Sequence, residues 1–414
     1  MSTYSDASLI MYPSGYKENK VYCFKPTDGS GDLTFTRAST ATRVNAAGLI
    51  EEVASGVPRI DYTGGGCGKL LLEPQRTNNL SYSQDFANVY WAKSDITFGA
   101  DGVSPSGLTD ADLIVTGTAN SDQINRTVTL SATNTITQSV FIKRVAGADW
   151  VDFLTVRLGF TNSVKVWFNI STGAVGSSLQ GGTTSLNSAS IEDYGNGWLR
   201  LIVTTTDTTN NTIFDTRLRT ATANLSDTRV NNSSYYLWGF QLEAGSYPTS
   251  YIPTTTTAVT RVGDNASKTP ISSFLNTANP FTFYLNFQRA EGATPASYHL
   301  IGLDNGSYGE YIKLVNKSAQ LKFYIVVKNS TTNVTSAEIT NTPNIKIAIV
   351  YDGATSYKIF HNGALLQTLT LGACSLNRFA SGENGIQFTT ESYQSIMLFQ
   401  TALSDTDAIA LTTL

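Results

Sequence analysis

The sequence predicts an all-β protein, made of two β-sandwiches that follow a shorter β-rich N-terminal segment. Only 14% of its residues are charged and 11% are aromatic, including 20 Tyr and 19 Phe, while Thr, Ser, Asn and Gly are abundant. β-Branched and aromatic residues favour strands, and frequent turn formers favour short strands joined by tight turns. Several segments also alternate apolar and polar residues, as strands with one buried face do.

The first 75 residues are predicted to form an N-terminal attachment and oligomerisation segment. They mix short candidate strands with many glycines, as in GDLTFTRASTATRVNAAGLIEEV, which begins at Gly31. The segment offers too little apolar surface for a robust core of its own. We therefore expect it to pack on a neighbouring domain or on copies of itself.

Residues 76–264 are predicted to form a jelly-roll β-sandwich. Stretches 134–145, 163–170 and 197–206 each alternate buried-type residues with polar residues or tryptophan, and Gly, Asn, Asp and Ser turns separate them. Period-2 strands with such turns are typical of a sandwich or jelly roll. A further strand near 235 is expected to place four side chains on one face, those of Tyr236, Trp238, Phe240 and Leu242.

The run Gly245–Asp264 is predicted to tether this domain to the next one. It is rich in Gly, Pro and Thr, with Pro248 and Pro253 favouring extended backbone. All five tryptophans precede it and both histidines follow it, which agrees with a domain boundary. A run of the same composition pressed onto a domain surface is the alternative.

Residues 265–414 are predicted to form the second sandwich. The stretch 344–368 contains two hairpin signals, Asp352-Gly353 and Asn362-Gly363. The end of the chain is predicted to be a strand followed by a short helix, because Ser404 and Asp407 approximate a capping box.

Charge and cysteine content exclude several classes of partner. The net charge is −4 and no basic patch is present, so we expect no nucleic-acid binding. Apolar runs have strand length, which predicts no membrane insertion, and the N-terminus lacks a secretory signal, which predicts synthesis in the cytoplasm. Cys23, Cys67 and Cys374 are odd in number and far apart, so we expect neither a disulfide nor a zinc site.

Three groups of segments resemble the appendage proteins of tailed bacteriophages, such as the head and tail fibres of Bacteroidetes and crAss-like phages. The first group is FTRASTATRVNAAGLIEEV, GVPRIDY and LLLEPQRTNNLSYSQDF; the second is GNGWLRL and YYLWGFQLEAGSYPTSYIPTTTTAVTRVGD; the third is IAIVYDGATSYKIFHNGALL and IMLFQTALSDTDAIALTTL. The second group is similar to the closing strands of a carbohydrate-binding-module-like jelly roll. The third is similar to a laminin-G or concanavalin-like sandwich.

The resemblance implies a structural protein on the virion surface. It implies a homotrimer attached to capsid or tail proteins through its N-terminal segment, and adhesion to host or environmental glycans. Weak contacts to a glycan gain from linked copies, because linkage raises effective concentration. A glycan-degrading spike and a capsid decoration without any ligand are the alternatives.

Catalytic residues are not expected. The Glu-x-Asp-x-x-Glu spacing of concanavalin-like glycanases is absent from 265–414, as is Gly-x-Ser-x-Gly from the chain. Glu192 and Asp193 are adjacent, so on a strand they would face opposite sides; we expect them in the turn before Gly195. His299 and His361 stand alone in the sequence.

Sugar binding is expected to use aromatic side chains flanked by polar ones. Trp167 is the first candidate, since it shares a strand face with Lys165 and Asn169, and Trp150 and Arg157 are further candidates. The alternative for Trp167 is packing against a neighbouring domain or subunit, where tryptophan is also enriched.

No cofactor is expected, apart from a calcium ion in the second sandwich. Laminin-G-like folds often hold Ca²⁺ through acidic loops, and Asp304 and Asn305 are the candidate ligands here. Six or more oxygens would have to meet in space.

Overall fold

The computed structural model describes residues 3–130, 134–157, 161–209, 212–289, 299–307, 309–317, 322–340, 342–382 and 390–413. Almost all of its regular structure is antiparallel β-sheet, which confirms the predicted all-β fold. Among the residues described, no helix has the length and apolar character needed to cross a membrane.

The elements before residue 76 are α1 (Thr3–Asp6), β1 (Ala7–Met11), β2 (Tyr16–Lys17), β3 (Lys20–Val21), β4 (Leu33–Thr36), β5 (Ala41–Val44), β6 (Ile50–Val53), β7 (Arg59–Asp61) and β8 (Lys69–Leu72). Those between 76 and 261 are β9 (Arg76–Asn78), β10 (Ala92–Ser94), β11 (Ile96–Phe98), β12 (Gly102–Val103), β13 (Thr109–Thr116), β14 (Gln123–Thr129), β15 (Thr135–Ala146), β16 (Trp150–Arg157), β17 (Asn162–Asn169), β18 (Ala174–Gly181), β19 (Thr184–Asp193), β20 (Trp198–Asp207), β21 (Ile213–Ala221), β22 (Ser234–Ala244) and β23 (Val259–Arg261).

The remaining elements are β24 (Asn265–Lys268), β25 (Phe281–Arg289), β26 (His299–Asp304), β27 (Tyr311–Asn316), β28 (Lys322–Lys328), β29 (Asn333–Thr335), β30 (Ile339–Thr340), β31 (Ile345–Tyr351), β32 (Ser356–His361), β33 (Ala364–Thr370), β34 (Arg378–Ser381), β35 (Glu391–Phe399) and α2 (Asp405–Thr412).

The chain forms two compact units, and one is inserted into the sequence of the other. We call Met1–Ala46, Glu52–Gln75 and Val262–Leu414 the split unit, and Ala47–Glu51 with Arg76–Arg261 the inserted unit. This division differs from the predicted 1–75, 76–264 and 265–414. Most of the N-terminal segment shares a unit with the C-terminal sandwich instead of standing apart.

Two large sheets make up most of the split unit. The eight-stranded sheet has the order β33-β32-β31-β25-β35-β8-β7, with β1 also paired to β35. The ten-stranded sheet has the order β2-β3-β4-β24-β34-β26-β27-β28-β29, with β30 also paired to β28. Side chains such as Leu285 and Ile347 from the first sheet and Leu303 and Ile325 from the second form one apolar core, as in a β-sandwich.

N-terminal strands complete both of these sheets, which explains why the segment needs no core of its own. Leu70 of β8 is in register with Tyr393 of β35, and Phe35 of β4 is in register with Ala266 of β24. All four of these side chains belong to the core of the split unit. The short strands therefore gain their buried area from partners more than 200 residues away.

The C-terminal part of the split unit follows its sequence signals. Asp352-Gly353 and Asn362-Gly363 lie at the turns that join β31, β32 and β33, so both predicted hairpins are confirmed. The predicted cap of the last helix is also confirmed, since the Ser404 hydroxyl accepts from the Asp407 N–H at 3.1 Å.

The inserted unit is a second two-sheet sandwich, of the predicted jelly-roll kind. Its six-stranded sheet has the order β10-β14-β21-β16-β17-β18, and its seven-stranded sheet β11-β13-β22-β15-β20-β19, with β12 also paired to β13. Val151 and Phe153 from the first sheet and Val140 and Leu201 from the second belong to one core.

A β-bulge corrects the predicted face of β22. Ser139 is in register with Gln241, whereas Phe141 is in register with Trp238, so β22 carries one extra residue at Gly239, whose φ is 61°. The core therefore receives Tyr235 and Leu237 before the bulge and Phe240 and Leu242 after it. The sequence pattern had predicted Tyr236 and Trp238 on the same face as Phe240 and Leu242. That prediction was wrong because the extra residue of the bulge reverses the alternation within the strand.

The predicted tether is in fact packed onto the inserted unit. Tyr247, Tyr251 and Ile252 are each 3% exposed, and the Tyr251 ring lies 4.6 Å from that of Trp238. The Ile252 N–H donates to Gln241 at 2.6 Å. The segment then ends in β23, which pairs with β9, so most of the run is built into the fold.

Candidate functional site

The candidate site lies on the face of the six-stranded sheet that points away from the core. On β16, Val151 and Phe153 face the core, so Trp150 and Asp152 must face outward. The register places Asp152 beside Trp167 of β17 and Arg219 of β21. Hydrogen-bonded neighbouring strands hold these side chains on a rigid platform.

A loop between β21 and β22, residues 222–233, covers part of this face. The Trp167 indole N–H donates to the Ser226 carbonyl at 2.9 Å, and Arg229 Nη1 donates to Asp152 Oδ2 at 2.6 Å. Arg219 Nε donates to the other oxygen of Asp152 at 2.8 Å. We call the outward face of the six-stranded sheet together with this loop the capped face.

Lys165 and Asp227 form a more exposed ion pair at the edge of the loop. The hydrogen bond from Lys165 holds the pKa of Asp227 below its usual range. The Lys165 ammonium also lies 5.1 Å from the centroid of the Trp167 ring, a cation–π distance.

Trp150 is half-buried at the end of this face, opposite Asn169 in the register. Its ring lies over Gly176, where an added Cβ would come within 2.6 Å of Trp150 Cζ3. Close beside it, Asn224 Oδ1 accepts from the Ser177 N–H at 2.9 Å, and Asn224 Nδ2 donates to the Ser177 hydroxyl at 3.0 Å. One side of the indole thus packs against Gly176, while part of the ring stays accessible to solvent.

Four of the five predicted sugar-binding residues are brought together on the capped face: Trp150, Lys165, Trp167 and Asn169. The Asn169 side chain is engaged in its own turn, since its Oδ1 accepts from the N–H groups of Ser171 and Thr172.

Of the two tryptophan candidates, Trp150 and not Trp167 is accessible to a sugar. Trp167 is 0% exposed because the loop covers it, so it offers no ring face to a sugar and instead supports the loop. This packing partner belongs to its own unit rather than to a neighbouring domain or subunit. Trp150 is the tryptophan with accessible surface.

Arg157 does not join the others. Arg157 is an even number of residues from Val151 and Phe153 on β16, so it points to the interior with them. It is 0% exposed, and its guanidinium lies 4.0 Å from the Phe214 ring centroid. Its Nη2 donates to the Asn134 carbonyl at 2.9 Å. Burial lowers the pKa of Arg157 to about 10, only partly offset by Asp207.

The predicted calcium ligands are engaged in other bonds. Asp304 is fully buried, and its two oxygens accept from Arg378 Nε at 2.8 Å and Nη2 at 3.0 Å. Lys313 Nζ lies 2.9 Å from Asp304 Oδ2. Burial disfavours the charged carboxylate, but these cationic donors outweigh it and lower the pKa of Asp304. Two cations at one carboxylate repel a third, which makes Asp304 a poor calcium ligand.

Asn305, the other candidate, caps its own turn. Its Oδ1 accepts from the N–H and the hydroxyl of Ser307, both at 3.1 Å. Within the part of the chain that the structure describes, no three His, Cys, Asp or Glu side chains are grouped so that they could hold a metal ion.

Glu192 and Asp193 lie on the last two positions of β19, not in the turn predicted from the sequence. Glu192 Oε2 lies 3.6 Å from Arg200 Nη1, whereas Asp193 Oδ1 accepts from the Gly195 N–H at 2.8 Å. The two carboxylates therefore have separate structural partners.

Sequence reasoning missed Asp152, Arg219, Arg229 and the loop residue Asn224. Asp152 follows Trp150 by two residues in DWVDF, and this spacing places both side chains on the same face of a strand. The sequence therefore did contain a signal for Asp152. The loop carried no comparable signal, since only the fold places residues 222–233 over β16 and β17.

No known family model matches the chain, and no curated protein matches it. Among solved structures, the sialidase module CBM40 of Ruminococcus gnavus, bound to α2,3-sialyllactose, is similar to 33% of this chain and 83% of its own length, with 17% identity and a TM-score of 0.28. The receptor-binding domain of a botulinum neurotoxin C/D mosaic serotype is similar to 36% of this chain and 40% of its own length, with 12% identity and a TM-score of 0.31.

Proposed function

We propose that this chain is a non-catalytic adhesion subunit of a phage fibre or spike, and that it binds glycans through the capped face of the inserted unit. The observation that carries the glycan proposal is the half-buried Trp150, held over Gly176 beside the exposed Asn224 amide. An aromatic face with a few fixed polar groups is the combination by which proteins orient small polar ligands.

The aromatic and polar groups of the capped face match the apolar faces and the hydroxyl groups of sugars. The apolar C–H face of a pyranose packs on an indole, which offers a large rigid surface at low cost in side-chain entropy. Sugar hydroxyls both donate and accept, so they can bond to the carboxylate of Asp227 and to the amide of Asn224. Because the sheet holds Trp150, and bonds to Ser177 and Lys165 hold Asn224 and Asp227 of the loop, little ordering is needed on binding.

The virion assignment is supported by the resemblance to phage appendage proteins. Arg37, Arg59, Glu73 and Asp264 come from the motifs that carry this resemblance, and they meet in one buried ion cluster of the split unit. These motifs therefore have a shared structural role. Homotrimerisation and attachment to capsid or tail proteins through the N-terminal strands remain part of the proposal.

Glycan binding is tested with the purified full chain on a glycan array. We expect a restricted set of glycans to bind, and we expect Trp150→Ala to remove that signal while Phe24→Ala, an exposed aromatic of the split unit, leaves it unchanged. Release of reducing ends from a bound glycan would support a depolymerase instead. An empty array would favour a decoration protein without a ligand.

The virion role is tested separately. Antibody against this chain should label the surface of intact particles in electron micrographs, and light scattering on the soluble chain should give three times the mass of one chain. Absence of the chain from purified particles would contradict the virion role without touching the glycan proposal.

A further inference from the structure

Every positively charged side chain described on the capped face has a carboxylate partner of its own unit. The pairs are Lys165 with Asp227, Arg219 and Arg229 with Asp152, and Arg217 with Asp215. A fourth carboxylate, Asp122, accepts from the N–H and hydroxyl of Thr220 and lies near Arg229. The described charges of this face therefore balance.

The cations described on the capped face are also largely shielded, since the most exposed of them, Arg217, has a side chain that is only 18% exposed. Arg219 and Arg229 hold Asp152 in a buried cluster, where their side chains are 15% and 7% exposed. The ammonium side chain of Lys165 is 16% exposed, against 66% for its partner Asp227. Asp149, which directly precedes Trp150 in the chain, is 54% exposed, against 32% for its partner Arg144 of β15.

The exposed charge described on the capped face is thus mainly the carboxylate of Asp227, and Asp149 adds a second exposed carboxylate next to Trp150 in the chain. A carboxylate accepts hydrogen bonds from hydroxyl groups at favourable strength. It repels a second anion, and an anionic ligand would gain no cation here without breaking an existing pair. A buried pair such as Arg219 with Asp152 is costly to break, because it leaves one charge uncompensated.

We infer that the capped face selects neutral, hydroxyl-rich glycans and disfavours those with a carboxylate or sulfate at the bound sugar. This inference rests on the proposed function and adds the class of ligand to it. In the bound state, the apolar face of a neutral pyranose covers Trp150, and Asp227 accepts from a hydroxyl of the same glycan.

The test uses the full chain and array glycans printed as matched pairs, one neutral and one carrying a terminal carboxylate sugar or a sulfate. The wild type is expected to bind the neutral member of a pair more strongly. Asp227→Asn removes the hydroxyl acceptor and releases the charge of Lys165. We therefore expect neutral binding to fall and acidic binding to rise, each by about two- to fivefold, the size expected for one exposed charge pair.

Asp405→Asn is the matched control, because Asp405 also forms an exposed pair with a lysine, Lys358, but in the split unit. It should change neither signal. Stronger wild-type binding of the acidic members, abolished by Trp150→Ala, would overturn this inference and leave the proposed function standing. Binding of no printed glycan would overturn both, and an unchanged neutral-to-acidic ratio in Asp227→Asn would overturn the role of Asp227.

Discussion

Arg59 is the centre of the buried ion cluster in the split unit. Its Nη1 donates to Glu73 Oε2 at 2.6 Å and to the Thr42 carbonyl at 3.1 Å, and its Nη2 bonds to Asp264. Burial disfavours the guanidinium charge, but the two carboxylates outweigh this and raise the pKa of Arg59. Arg37 approaches Asp264 from the other side at 3.0 Å. The cluster joins residues more than 200 positions apart.

We expect Arg59→Met to lower the free energy of unfolding of the split unit by about 3–5 kcal/mol, because Glu73 and Asp264 lose a buried counterion. Urea unfolding followed by far-UV circular dichroism measures this. The control is Lys358→Met, which removes an exposed pair and should cost about 1 kcal/mol or less. All five tryptophans lie in the inserted unit, so their fluorescence should report an unchanged transition; equal effects of the two variants would contradict the role of the cluster.

The three cysteines differ in accessibility. Cys23 and Cys374 are buried, and burial raises their pKa values to about 12 and about 11, while Cys67 is exposed. Since the thiolate is the reactive form, an aromatic disulfide reagent at pH 8 should titrate one thiol in the native protein and three in denaturant. Cys67→Ser should remove the native reaction; rapid reaction of two or more thiols in the folded chain would show that the buried sites open.

At the scale of elements, alternation predicted the strands well wherever one face meets the core. Val164, Val166 and Phe168 face the core of the inserted unit as the sequence indicated. The bulge at Gly239 escaped prediction because one extra residue reverses the faces of a strand without changing its composition. The run after β22 escaped it because Thr and Pro are common both in linkers and in segments pressed onto a sheet.

The packed run changes what a protease should find. Arg261 is 1% exposed and ends β23, which is hydrogen-bonded to β9. We therefore expect trypsin to leave the bond after Arg261 intact in the native protein, because cleavage would require this strand pair to open. Mass spectrometry of limited digests measures this, with urea-denatured protein as the control that shows the bond is cleavable. Early release of a fragment beginning at Val262 would instead support the prediction that this run is an exposed linker.

At the scale of the whole molecule, the sequence predicted two sandwiches but not the insertion. Hydrophobic patterning identifies a strand without identifying its partner, and β8 finds its partner β35 some 320 residues later in register, Leu72 with Glu391. The weakness of 1–75 as an independent core was the one available signal. The candidate site was likewise predicted only in part. Strand alternation placed Trp150, Lys165, Trp167 and Asn169 on one face, but only the fold shows that the loop covers Trp167 and leaves Trp150 accessible.

Binding of a glycan to Trp150 is tested most directly by calorimetric titration of the full chain with the strongest ligand from the array. Trp150→Ala should weaken binding about tenfold or more, equal to about 1.4 kcal/mol, with an unchanged melting transition, while Phe24→Ala should keep the wild-type affinity. Wild-type affinity in Trp150→Ala would contradict the account, because the capped face would then not be where the glycan binds.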